Sequence, residues 1–425
     1  MIYNNRRIAL KILGVIAEYN PFHKGHAWQI GASKKASGCD AVMVLMSGSM
    51  TQRGDFALLN KWERARLALS AGVDLVCELP VAYAGQSAEA FAGGGVKILN
   101  ATAVCDVLSF GSESGELEPL NQLAQLLAEE SPEFKLLLKK KLATGVSFPT
   151  ARMMAVNQLS DDASGTLLHA PNNILAVEYL KALHRTQSPI VPMTVKRQGA
   201  GYHSLSACDY LSASKIRSIL IDALQRPEAA AAILKQLDRQ LPYPLDDVFL
   251  PVKQTHRVGG DERLLDALRL LILSRDVDHL KNTPYVAEGL EHKIRDAVKT
   301  ADTLAELIDA IVSKRIPHTR VRRILGNRVL ELNKQTLATF QSDDFTPYLR
   351  VLGFNQNGRE ILKRIKDHSE LPILTNLKTN ENRLNDRQRE LLYYDCRATD
   401  LHNLFYENGY NYHRDYTQSP IRLDL

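Results

Sequence analysis

The 425-residue chain predicts an α/β fold: a doubly wound parallel sheet followed by a mostly helical C-terminal domain. Three observations carry that expectation. Through the first half, short apolar runs rich in β-branched residues alternate with helix-length segments, as in parallel strands buried on both faces. Each run ends in a polar loop of unusual composition. Beyond about residue 225, the reading changes to helices.

The first strand falls near 8–17 (I-A-L-K-I-L-G-V-I-A) and leads into a helix near 25–37. The second is C-D-A-V-M-V-L-M (39–46), with a helix near 59–71 after it. D-L-V-C-E-L (74–79), a helix near 87–99 and C-D-V-L-S-F (105–110) continue the alternation. A helical stretch at about 116–143, within an insertion spanning about 116–165, interrupts it. A helix near 173–185 then precedes the strand I-V-P-M-T-V (190–195), the loop K-R-Q-G-A-G-Y-H and a helix at L-S-A-S-K-I-R-S-I-L. In E-R-L-L-D-A-L-R-L-L-I-L, the residues Leu264, Leu268, Leu271 and Ile272 recur at i, i+4, i+7 and i+8, the spacing of an amphipathic or buried helix. The expected division is 1–224 for the sheet domain and 225–425 for the helical one, which closes in a polar, aromatic tail.

The loops after the first four strands are E-Y-N-P-F-H, S-G-S-M-T-Q-R-G-D, E-L-P-V-A-Y and F-G-S-E. Ligands of open α/β sheets bind outside the carboxyl ends of the strands, so these loops are expected to converge on one edge.

Composition narrows the class. The chain is 45% hydrophobic and 24% charged, with a formal net charge of +5, which permits a polyanionic partner without demanding one. Five scattered cysteines without C-x-x-C spacing argue against a zinc site or a disulfide framework and for a reducing cytoplasm. No apolar run reaches the ~18 residues of a membrane span. The basic, apolar start imitates a signal peptide, but Lys11 interrupts it and no A-x-A-like cleavage site follows. Neither a Walker loop nor G-x-G-x-x-G occurs, which disfavours P-loop chemistry and ordinary dinucleotide binding.

The sharpest motif is H-K-G-H, His23 to His26, set between the first strand and a helix. A helix N-terminus offers unpaired N–H groups and positive dipole to phosphate, and Gly25 lets the backbone approach closely. His23 and His26 can donate to phosphate oxygens as charge develops on them. A bland histidine-rich loop and a metal pair are the other readings, but the usual third metal ligand is not evident. Ser212-Ala213-Ser214-Lys215-Ile216-Arg217 is by itself an ordinary helix N-cap pattern. Gly111 sits just past a strand, where a side chain would block a purine or ribose. Asn172 can pair with an adenine edge or ribose hydroxyl, and Arg197 can reach phosphate, although a turn or a surface charge is the commoner use of such residues. Arg53, Lys61 and Arg64, in Q-R-G-D and K-W-E-R, either line an acyl or RNA entrance or form a solvated helix face. Residues 311–330 hold six Lys/Arg and no acid, which suits an RNA backbone or a solvated face.

The H-K-G-H motif resembles the HIGH signature of the nucleotidyltransferase superfamily, and G-V-I-A-E-Y-N-P-F-H-K-G-H is similar to its tRNA(Met) cytidine acetate ligase branch. The resemblance covers nearly the whole chain, through M-S-G-S-M-T-Q-R-G-D, K-W-E-R, E-L-P, F-G-S-E, P-N-N-I-L, S-A-S-K-I-R and Y-L-R-V-L-G-F. Departures are several extra N-terminal residues and G-S-M-T in place of a G-N-F-like run. The resemblance implies an ATP-dependent enzyme that forms acetyl-adenylate and acetylates N4 of the wobble cytidine of elongator tRNA(Met), with Mg²⁺ arriving on ATP. It implies ATP contacts at Ile16, Ala17, Glu18, Tyr19, Asn20, Pro21, Phe22, His23, Lys24, Gly25, His26, Ala27, Trp28 and Gln29, and at Gly111, Asn172 and Arg197. By the same likeness, His23, His26, Ser212, Ser214, Lys215 and Arg217 are the catalytic set, the last four holding the outgoing pyrophosphate as the superfamily's K-M-S-K-S element does. A small-molecule adenylyltransferase and a non-catalytic tRNA-binding protein are the alternatives.

Overall fold

The computed structural model describes residues 10–159, 164–197, 210–237, 239–256, 259–287, 289–409 and 411–423. Among these, one sheet runs in the order β5-β4-β1-β2-β3-β6-β7, with β8 paired to β6. The strands are β1 (Ile12–Ala17), β2 (Ala41–Ser47), β3 (Leu75–Leu79), β4 (Val107–Ser112), β5 (Val191–Lys196), β6 (Leu349–Phe354), β7 (Ile373–Leu374) and β8 (Ile421–Arg422). β1 to β5 pair in parallel. The strand order reverses between β1 and β4, which is where a doubly wound sheet opens its binding crevice.

The helices that bear on the site are α1 (Lys24–Ser37), α2 (Lys61–Ser70), α3 (Ala88–Thr102), α4 (Pro171–Arg185), α5 (Ala213–Gln225), α6 (His318–Leu330) and α7 (Gln356–His368). Alternate strand residues feed two cores. Leu13, Val15, Val42, Val44 and Val76 pack with Ile30 of α1, Trp62 of α2 and Ile216 of α5. Ile12, Ile16, Met43, Leu45 and Cys77 pack on the other face with Leu99 of α3, Leu180 of α4 and Ile361 of α7. Burial on both faces explains the near-continuous apolar runs of these strands.

The strand expected near 8–17 is described from residue 10, and pairing begins at Ile12. The loop after β5 lies mostly outside the described residues. The stretch 116–143 is two helices, Leu117–Glu129 and Pro132–Ala143, because Ser131 caps the second and Pro132 occupies its first turn. Leu264, Leu268 and Ile272 anchor a separate helical core with Leu307 and Leu325. The sequence signalled no strand beyond residue 225, yet β6, β7 and β8 extend the sheet, with β6 antiparallel to β3. Leu349–Phe354 is a single short apolar run among helices, so only its neighbour β3 reveals it as a strand.

Candidate active site

His23 is the N-cap of α1. Its Nδ1 accepts the Gly25 N–H at 3.0 Å, while its own backbone N–H donates to His26 Nδ1 at 3.3 Å. The two rings lie 3.9 Å apart, tilted by 30°. Because each Nδ1 accepts, each neutral imidazole carries its proton on Nε2. Burial, with the charge of Arg197 behind it, lowers His23 to about 4. Burial likewise holds His26 well below the ordinary histidine value, with His23 and then Arg197 adding to it. Two neutral donors therefore stand side by side on the cavity wall.

Gly25 serves this pair. A Cβ there would lie 2.8 Å from His23 Cε1 and 3.0 Å from Nδ1, so its absence lets the imidazole fold over the helix start. That use stands beside the close backbone–ligand approach expected of it.

The cavity measures about 990 Å³ and is walled by the ends of β1 and β4, the loop 51–58, α4, α5 and, from the helical half, α6. Arg197 follows β5 and donates to Asn172 Oδ1 at 3.0 Å. Asn172 is in turn held by Glu113, whose Oε1 accepts its Nδ2 at 2.6 Å. The Asn172 amide thus orients Arg197. A Cβ on Gly111 would stand 3.0 Å from Arg197 Cγ, so the glycine also makes room for this arginine. Arg217 donates to the Asn20 carbonyl at 2.6 Å and to Ser214 Oγ at 3.1 Å, which ties α5 to the turn before α1. Burial lowers both guanidinium groups from their ordinary value.

The run Ile16 to Asn20, with His23, His26 and Gln29, lines the cavity, as do Gly111, Asn172, Arg197, Ser212, Ser214 and Arg217. Pro21, Phe22, Lys24, Gly25, Ala27 and Trp28 do not; Phe22 is fully buried, its carbonyl accepting the Tyr243 hydroxyl. Lys215 is exposed and outside the cavity wall, because its backbone N–H takes the Ser212 cap and its side chain faces solvent. The loop E-L-P-V-A-Y also misses the cavity: it forms the buried turn Val81–Ala84, and Glu78 binds Lys61 at 2.7 Å.

Lys61 and Arg64 are neither an entrance nor a solvated face. Both are fully buried, Lys61 between Glu78 and Asp415 (2.8 Å) and Arg64 on the carbonyls of Leu59, Glu18 and Gly48. Arg53 is exposed at the cavity rim. The basic run 311–330 is not one surface patch either: Arg328 is buried on the Leu271 carbonyl, Arg320 holds the Tyr285 carbonyl, and Arg322 and Arg323 face the cavity. Sequence reasoning missed Glu113 and the α6 arginines as parts of the site. Glu113 lay within a quoted motif, whereas nothing local marks α6 as a wall of this cavity.

This sheet, with paired histidines at the first helix and basic groups from β5 and α5, defines a nucleotidyltransferase of the HIGH type, and the HIGH Nucleotidyl Transferase family pattern matches residues 10–418. A tRNA(Met) cytidine acetate ligase of Caldanaerobacter subterraneus subsp. tengcongensis is 39% identical over 409 residues, covering 94% of this chain and 96% of that protein. One of Acetivibrio thermocellus is 36% identical, with the same coverage of 94% and 96%. The structure of Thermotoga maritima TmcAL bound with alpha-thio ATP matches with a TM-score of 0.86 at 29% identity, over 98% of this chain and 100% of that one. The chain belongs to the tRNA(Met) cytidine acetate ligase family.

Proposed function

We propose that this protein activates acetate with ATP as acetyl-adenylate, releasing pyrophosphate, and transfers the acetyl group to N4 of the wobble cytidine of elongator tRNA(Met). The observation that carries this is the pair of Nε2 donors at the start of α1, in one cavity with Arg197 and Arg217. Acetate is already an anion and needs no general base, so the chain's task is to position reactants and stabilise phosphate charge. His23 and His26 donate to oxygens of the α-phosphate as it is attacked. Arg217, steadied by Asn20 and Ser214, meets the outgoing pyrophosphate, and Arg197 supports the nucleotide from β5. Mg²⁺ carried on the triphosphate would neutralise part of its charge, leaving the remainder to Arg197 and Arg217. In the second step N4 attacks the acetyl carbonyl, loses one proton, and AMP leaves.

Residues 1–224 supply the nucleotide site, and the helical part beyond them presents the RNA, whose cytosine must leave its stack for N4 to be reached. No helix among the described residues is long and apolar enough to cross a membrane. Cys39, Cys77, Cys105 and Cys396 are free thiols, in keeping with a cytoplasmic setting. The test is incubation with ATP, labelled acetate and total tRNA, followed by mass analysis of nucleosides. Label is expected on the wobble cytidine; label elsewhere, or on no nucleoside, overturns the reading.

A further inference from the structure

α6 brings two adjacent arginines to the cavity, and they are served differently. Arg322 pairs with Asp55 at 2.5 Å. Among the described residues, no carboxylate forms such a pair with Arg323. Its Nη1 reaches only the carbonyls of Gln52 and Gln86, at 3.5 Å and 3.3 Å, and its Nε is buried without a partner. The Tyr285 ring lies 5.5 Å from its guanidinium carbon. A guanidinium withdrawn from water onto such weak acceptors is short of one anion.

The surroundings hold Arg323 in place. Gln86 and Asn327, both buried, exchange amide hydrogen bonds of 2.9 Å and 3.2 Å, and Asn327 also donates to the Arg323 carbonyl at 2.9 Å. Gln52 donates its backbone N–H to Glu18 Oε1 at 2.8 Å, directly after β1. The helical half thus extends a fixed cation to the border of the nucleotide crevice.

We infer that Arg323 receives the carboxylate of acetate ahead of its attack on the α-phosphorus, an assignment that rests on the function proposed above. The phosphates of ATP have their partners on the sheet side, in His23, His26, Arg197 and Arg217. Displacement at phosphorus runs in line, so the nucleophile must come from the side away from the departing pyrophosphate. One carboxylate oxygen stays on Arg323. The other bonds to the α-phosphorus as the bond to the bridging oxygen breaks, and pyrophosphate leaves with the electron pair. An RNA phosphate carries the same oxyanion chemistry, so the test separates the two sources.

Wild type, Arg323→Gln and Arg323→Lys are compared in acetate-dependent ATP–pyrophosphate exchange without tRNA. The KM for acetate is expected to rise at least about tenfold in Arg323→Gln and less in Arg323→Lys, with the KM for ATP within about twofold of wild type. A parallel rise in the KM for ATP overturns the assignment in favour of a phosphate anchor. An unchanged acetate KM also overturns it, and loss of acetyl transfer alone would then mark an RNA contact. Should the variants not fold, wild-type crystals soaked with α,β-methylene-ATP and acetate decide. Carboxylate density within about 3 Å of Arg323 supports the assignment, and density elsewhere in the cavity overturns it. A folded wild type without acetate-dependent exchange overturns the function reading itself.

Discussion

Two imidazoles and one glycine determine what the start of α1 can do. The His23 and His26 tautomers follow from backbone hydrogen bonds to both Nδ1 atoms, so the Nε2 donors are preset for an acceptor in the cavity, the α-phosphate in the proposed reaction. His26→Ala is expected to slow acetyl-adenylate formation by about 10²–10³-fold, the usual effect of losing one donor to developing charge. ATP–pyrophosphate exchange measures it, and a wild-type rate would remove His26 from the catalytic set. The pH dependence has a definite sign. His23 titrates at about 4 in the folded chain against 6.5 ordinarily, so the unfolded chain binds more protons between those values. Stability from burying a neutral His23 is complete above pH 6.5 and lost as pH falls toward about 4. Thermal unfolding across that window is expected to show a falling Tm, with a flatter slope in His23→Asn.

At the scale of elements, the decisive contact joins the loop after β2 to α6. Gly54 has φ +89°, and a Cβ on it would stand 2.5 Å from the Arg323 nitrogen. A Cβ on Gly326 would meet the Gly54 carbonyl oxygen at 2.9 Å. Two glycines at the crossing let backbone touch backbone, and this brings Arg322 and Arg323 into the cavity. Gly54→Ala combines left-handed strain with a clash against main chain, and is expected to cost about 2 kcal/mol or more. Urea unfolding checks this; a variant as stable as wild type would mean that the crossing yields. The six Lys/Arg of residues 311–330 were legible as unusual, but their use was not. Which of them face the cavity depends on how α6 crosses a loop more than 250 residues earlier in the chain.

Over the whole molecule, the sheet and the C-terminal region are one structure. β6 covers the edge of β3, and Asp415 supplies half the counter-charge of the buried Lys61. Removing Lys61 takes the salt-bridge partner from the buried Glu78 and leaves Asp415 with Arg350, 3.6 Å away. Lys61→Met is therefore expected to destabilise by about 3–5 kcal/mol, read from denaturant midpoints. A fragment of residues 1–224 keeps every proposed phosphate ligand but bares the β3 edge and strands Lys61 with one partner. It is expected to aggregate on expression, whereas a soluble fragment with a cooperative transition would show that the nucleotide half stands alone.

The sequence by itself determined the parallel strands, the convergence of their loops on one edge and the paired histidines after β1. Those signals are local: apolar runs of strand length, and a motif whose hydrogen bonds close within four residues. The loop after β2 and the end of β4 were legible at the crevice for the same reason, since each directly follows a strand end. Tertiary structure alone decided that Lys61 and Arg64 are buried, that Lys215 faces solvent, that Glu113 steers Arg197 through Asn172, and that α6 forms a wall of the cavity. These facts depend on partners tens to hundreds of residues away. A charged side chain carries no mark of whether water or a distant carboxylate will receive it.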